Sequence, residues 1–261
     1  MTDEGYTSSQ TSSHAETIIF APYSFDVILL VDTQETVGAT CNPLDDETIR
    51  ELSKLEVNFE VRHLKVGDFT WICRERNTKQ ELILPFIVER KRMDDLGGSI
   101  RDGRFYEQKF RLKQCGIQNL MYLVESYGKN THTGLPLTAL MQGATNTLIQ
   151  DQFQVKFTEN HRHSMQYLSG MTVTLKNIYE KKTVMNCSKD DCVKTSIFDD
   201  LVPLMLFTEF NKNASKMRNF KVQEIFVRQL LQLKGVSVEK ALAIVEKYPT
   251  PTLLKLEYDR G

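Results

Sequence analysis

Residues 82–113 read LILPFIVERKRMDDLGGSIRDGRFYEQKFRLK, and the way this stretch begins decides the fold. Residues 82–88 are almost unbroken apolar, the composition of a strand buried on both faces. Within one residue the text changes to Glu89-Arg90-Lys91, as where such a strand meets solvent. Side chains alternate along a strand, so Glu89 and Lys91 leave one face and Arg90 the other. A carboxylate and an ammonium two residues apart at a sheet rim can hold a cation and a water beside an anionic substrate. Pro85 lacks an N–H and predicts a bulge in this strand.

Upstream, Gly67-Asp68 opens a second β-like run, residues 69–73, and the polar residues 74–81 fit a hairpin loop between the two runs. Antiparallel pairing lays the start of the first arm against the end of the second. That carries Asp68 to Glu89 and Lys91. Two acids and a lysine converging in this way suit Mg2+, which takes oxygen ligands and keeps waters for chemistry.

The run ERKRMDD, Glu89 to Asp95, is similar to the ERKxxxD signature of the XPF family of structure-selective endonucleases. VERKRMDDL followed by SIRDGRFYEQKFRLK resembles the catalytic subunits of that family's MUS–EME heterodimers, and the likeness runs roughly from Phe25 to Asp259. The resemblance implies an α/β nuclease domain of restriction-endonuclease type, followed by a small all-α helix-hairpin-helix domain. It implies hydrolysis of branched DNA: 3′ flaps, replication forks and nicked Holliday junctions. It points to Asp68, Glu89, Arg90, Lys91 and Asp95 for catalysis. Asp32, Glu35, Asp68 and Glu89 become candidates for a Mg2+ site that Mn2+ can also fill. It further implies a nuclear protein paired with a degenerate, non-catalytic EME-type subunit. The competing reading is a non-catalytic DNA-binding scaffold, against which Asp32, Asp68, Glu89 and Asp95 are all retained.

Elsewhere the chain alternates strands and helices, the pattern of an α/β domain. Residues 26–32 predict the first buried strand; read alone, Asp32 and Glu35 at its end are a polar turn. Helices are predicted over residues 44–55, from Pro136 onward, and over 161–181, with strands at 59–61, 119–125 and 153–157. His161 and His163 suit capping or surface roles. Gly97-Gly98 predict a flexible joint and Ser99 a helix N-cap. From there Arg101, Arg104, Gln108 and Arg111 share one helical face, a candidate DNA-contacting stripe, with Gly103 weakening the helix.

Residues 186–200 predict a linker, and everything beyond it reads as helical. Leu233-Lys234-Gly235-Val236-Ser237, continued to Lys240 and Ala241, resembles a helix-hairpin-helix. Its turn amides and the following helix N-terminus can grip a phosphate whatever the base. Lys234, Gly235, Val236, Ser237 and Lys240 are therefore candidate DNA contacts. The organisation predicted is a disordered tail 1–20, a nuclease domain 21–185, a linker 186–200 and a hairpin domain 201–261. The family's tandem hairpins make the last of these incomplete at its C-terminus.

Composition sets outer limits. A formal net charge of −1 over 261 residues gives no general nucleic-acid signal, so basic patches must be local. They are: residues 89–113 hold eight Lys/Arg against five Asp/Glu, and residues 212–247 eight against three. Five cysteines, without a secretory signal, predict a reducing compartment. Cys187 and Cys192 have no second Cys/His pair for zinc. The apolar run 27–31 is far too short for a bilayer, so no membrane role is expected.

Overall fold

The computed structural model describes residues 17–36, 46–126, 134–192, 199–213 and 221–260. Its centre is a six-stranded sheet in the order β3-β2-β4-β5-β6-β7. The strands are β2 (Phe25–Asp32), β3 (Phe59–Arg62), β4 (Phe69–Glu75), β5 (Glu81–Arg92), β6 (Asn119–Glu125) and β7 (Gln154–Thr158). A second, three-stranded sheet joins β1 (Ile19–Phe20), β8 (Thr183–Asn186) and β9 (Leu201–Leu204).

Alternation along the central strands divides the core in two. Val27, Leu29, Val31, Phe69, Trp71 and Cys73 point to one face, where α1 (Glu47–Lys54) and α5 (His161–Tyr179) cover them with Leu52, Met165, Leu168 and Leu175. Ile28, Leu30, Ile72, Ile83 and Ile87 point to the other, beneath α2 (Met93–Arg101), α3 (Arg104–Gln114), α4 (Leu137–Ile149) and α7 (Phe207–Asn213). Helices on both faces explain why the strands read as continuous apolar runs. Trp71 is fully buried and donates its indole N–H to Thr172 Oγ1 at 2.8 Å. The sequence stripe on α1 extends to Leu44, which lies outside the described residues; Asp46 caps that helix by accepting from Ile49 N at 3.0 Å.

The β4–β5 hairpin forms with a tighter loop than expected, because Arg74 and Glu81 pair as strand residues. Its register slips between Thr70↔Ile87 and Ile72↔Ile83, which leaves Leu84, Pro85 and Phe86 opposite Trp71 as the bulge. Pro85 O and Phe86 O are satisfied by Asn119 Nδ2 and Thr70 Oγ1.

Three expectations are corrected here. Gly97, Gly98 and Ser99 form no joint or cap: all three lie inside α2, where Met93, Leu96 and Gly97 are buried and Ser99 Oγ donates to Leu96 O. Packing overrides the low helix propensity of glycine. The helix breaks instead at Gly103, whose φ of +80° suits a residue without a Cβ. The single stripe of Arg101, Arg104, Gln108 and Arg111 is thereby split between α2 and α3.

Residues 201–213 are the third case, since they are neither wholly helical nor part of the hairpin unit. β9 runs parallel to β8, Ile83 N donates to Met205 O at 2.9 Å, and Phe207 and Phe210 enter the second core. Within the expected linker, Cys187 and Cys192 pair as a disulfide around the short α6 (Lys189–Cys192). The C-terminal helices are α8 (Val222–Leu230), α9 (Val238–Lys247) and α10 (Pro251–Tyr258). Phe226, Val227, Leu230, Val238, Ala241 and Val245 make a third core with Phe110, which docks the hairpin on α3. No helix among the described residues is long and apolar enough to cross a membrane.

Candidate active site

Asp68 reaches Glu89 through backbone geometry. Gly67 turns the chain into β4 with φ +74°, and a Cβ there would lie 2.4 Å from Ile87 Cγ1, so only glycine fits. Asp68 N then donates to Val88 O at 2.9 Å, and Asp68 Oδ2 accepts from Arg90 N at 2.7 Å. On the other side, Asp68 O accepts from Asp32 N at 2.8 Å, which brings the end of β2 to the same place. These elements and α3 enclose an open cleft of about 520 Å³, lined by Asp32, Glu35, Asp68, Glu89, Lys91, Asp95, Gln108 and Arg111 among others.

The two hairpin acids are poorly neutralised. Burial raises Asp68 well above the usual carboxylate range, reinforced by the negative charges of Glu89 and Glu35. Glu89 is pushed up to about 7, chiefly by burial, against the opposing pull of Lys91 and Arg111. A cation between the carboxylates reverses both effects. Among the described residues no group of three His, Cys, Asp or Glu side chains is placed to hold a metal ion. Mg2+ needs only one or two carboxylates and completes its shell with water and substrate phosphate. Asp68 and Glu89 fit this donor set.

A pH dependence follows for the metal-free fold. From the ordinary value of 4.5 up to about 7, the native chain binds more protons at Glu89 than the unfolded chain does. Stability therefore falls as pH rises through that window. Thermal melts in EDTA are expected to drop by several degrees between about pH 5 and pH 8. Glu89→Gln should flatten the slope, and a melt that rises over this range in wild type would contradict the pair's burial.

The other candidates separate into distinct roles. Asp32 is buried, with Oδ1 accepting from Leu64 N at 2.9 Å and Thr33 Oγ1 at 3.4 Å. Asp95 lines the cleft from the exposed side of α2's first turn. Glu35 has its Oε2 engaged by Arg90 Nη1 at 2.9 Å. Arg90 also grips Glu125 with two hydrogen bonds, Nε to Oε2 at 2.8 Å and Nη2 to Oε1 at 2.7 Å. It thus braces the strand end from the face opposite Glu89, as alternation required.

Of the proposed DNA stripe, Arg101 ends α2 and is exposed, and Arg104 pairs with Asp102 at 2.7 Å. Arg111 faces the cleft while its Nε holds Glu107 Oε2 at 3.1 Å. Gln108, a candidate DNA contact, also lines the site itself. Its Nε2 donates to Glu89 Oε1, and its Oε1 accepts from Lys91 Nζ at 3.2 Å and Tyr122 OH at 3.3 Å. His63 and Lys65 also line the cleft and were missed, because nothing in their local sequence marks a long-range neighbour.

The hairpin turn is built around Gly235, with φ +86° and open space where a Cβ would stand. Ser237 caps α9 by accepting from Lys240 N at 3.3 Å, and Lys240 Nζ donates to Gly235 O at 3.2 Å. Lys234 is exposed beside them, and Val236 N closes the turn on Leu233 O. Lys113 of α3 lies 3.1 Å from Asp151 Oδ1 and 2.5 Å from Glu239 Oε1, tying the first turn of α9 to the nuclease core.

Residues 31–171 match the ERCC4 domain model. The structure-specific endonuclease subunit MUS81 of Danio rerio is 41% identical over 97% of this chain, and that of Homo sapiens 41% over 96%. The crossover junction endonuclease MUS81 of Kluyveromyces lactis is 34% identical over 91%. The chain spans about half the length of these curated relatives: 45%, 47% and 40% respectively. With a family model matched across more than half of its residues, this chain belongs to the ERCC4 domain family.

Proposed function

We propose that this chain is the catalytic subunit of a divalent-metal-dependent endonuclease that cuts branched DNA, with Mg2+ as its ion and Mn2+ able to replace it. The observation that carries the reading is the delivery of Asp68 onto Glu89 in an open cleft, with Lys91 beside them. The relatives named as structure-specific and crossover junction endonucleases support it.

In this reading Asp68 and Glu89 hold the ion, with Asp32 next to them. When bound, the ion supplies Lewis acidity and lowers the pKa of a coordinated water. Lys91 faces the scissile phosphate and offsets the charge that grows on its oxygens. A lysine acting as base needs a depressed pKa, and the adjacent carboxylates oppose that, so the electrostatic role is preferred. Arg90 keeps the strand end in place through Glu125 and Glu35. The Gly235 turn and Lys234 take phosphates of the duplex arm. The chain carries no base-reading motif of its own, which fits recognition of shape.

The word "subunit" in the relatives' names supports a partner, which in this reading is a degenerate EME-type chain. Leu137, Met141 and Ile149 of α4 and Phe157 of β7 leave apolar surface uncovered, as a subunit interface requires. Branched chromosomal DNA as substrate puts the complex in the nucleus. The test is cleavage of labelled 3′-flap and nicked four-way-junction DNA by the chain with its partner. Cleavage is expected with Mg2+ or Mn2+ and loss to background in EDTA. Full activity in EDTA would overturn the metal reading; binding without any cleavage in Mg2+ would make the chain a scaffold.

A further inference from the structure

We infer that Gln108 is a positioning residue: its side-chain amide holds Lys91 away from the Asp68 and Glu89 carboxylates and so keeps that pair open to a divalent cation. The inference rests on the nuclease reading above and deepens it. Glu89 and Lys91 project from the same face of β5, two residues apart. Coulomb attraction in a buried cleft draws such an ammonium onto the carboxylate. Once there, it occupies the place of a metal ion. Among the described residues, however, the Lys91 ammonium is paired with Gln108 Oε1 and with no carboxylate.

An amide suits this post because its polarity is fixed at both ends. The NH2 group only donates, and here it meets Glu89 Oε1. The carbonyl oxygen only accepts, and it takes Lys91 Nζ together with the hydroxyl of Tyr122, a fully buried residue of β6. Three partners on two strands therefore set the orientation of one side chain. Its own helix is fixed as well, by the buried Phe105, Lys109 and Leu112 around it. A neutral group satisfies both Glu89 and Lys91 without adding charge to a site that must accept a dication. Outer partners of this kind typically change metal affinity 10- to 100-fold when removed.

The test uses Gln108→Leu, which keeps the volume and removes both hydrogen bonds, with Mn2+ binding to the full chain measured by calorimetry without DNA. Mn2+ affinity is expected to fall about 10- to 100-fold. Adding Lys91→Met to Gln108→Leu should restore affinity to that of Lys91→Met alone, because the competing ammonium is gone. DNA affinity of Gln108→Leu in EDTA should stay within about twofold of wild type, with a single cooperative thermal melt as the control for folding. Half-saturating Mg2+ for cleavage should rise more than the maximal rate falls. Equal Mn2+ affinity in wild type and Gln108→Leu, or no recovery on adding Lys91→Met, overturns the inference while leaving the nuclease reading intact. A wild-type chain that takes up no Mn2+ overturns both.

Discussion

Glu89→Gln and Asp68→Asn are each expected to slow flap cleavage by roughly 100- to 1,000-fold, the scale of losing a preorganised charge from a transition state. Both changes preserve shape. Asn in place of Asp68 still offers an oxygen to Arg90 N, now 2.7 Å from Asp68 Oδ2, so the hairpin should stay closed. Neither residue carries the positive charge that binds phosphate, and DNA affinity should remain within about threefold. Metal-free stability should not fall, because each substitution removes one of two carboxylates that the buried site disfavours in their charged form. Single-turnover cleavage, fluorescence anisotropy and thermal melts together check the three statements. Near-normal cleavage by either variant would remove the hairpin pair from the mechanism.

Asp151→Ala is expected to destabilise the fold by about 3–5 kcal/mol, the usual result of removing one partner from a buried ion pair. The Lys109 and Asp151 side chains are each only 4% exposed, and they contact one another directly. Burial already pulls the Lys109 ammonium below its ordinary pKa, although Asp151 opposes that pull. Without Asp151, Lys109 keeps only the hydroxyl of Thr147, at 3.3 Å, and the faces of Phe105 and Tyr106. Lys113 loses one of its two acids at the same time. Replacing both ends, Lys109→Met with Asp151→Leu, should recover much of the loss, since well-packed apolar groups often substitute for such a pair. Urea denaturation of the three variants measures this. A cost below about 1 kcal/mol for Asp151→Ala would show that water reaches the pair.

The part of this molecule most legible in sequence is the part with the strongest periodicity. β2, β4 and β5 are covered on both faces, so their apolar runs stand out, and the sharp change at Glu89 marks the rim. Asp68 could be placed because a hairpin loop fixes which ends meet. The helix after the signature was less legible. Gly97 and Gly98 suggest a joint by propensity, yet the core beneath Met93 and Leu96 holds them helical, and the true break is one positive-φ glycine further on. β8 and β9 are four residues each, too short to show a period, and β9 opens an apolar run, residues 201–207, that periodicity alone does not separate from a helix. Gln108 looked like one member of a basic stripe. Its role depends on Tyr122 and Lys91, and no spacing rule connects those residues.

Helix α3 presents Gln108 to the cleft and, five positions on, Lys113 to the hairpin unit. At a rise of 1.5 Å per residue the two lie about 7.5 Å apart along the axis. Pivoting the rod by ten degrees about Lys113 swings the Gln108 backbone by about 1.3 Å, enough to part a hydrogen bond. One buried helix thus ties the two units together, and a displacement of the hairpin unit large enough to move Lys113 would also be felt at Gln108.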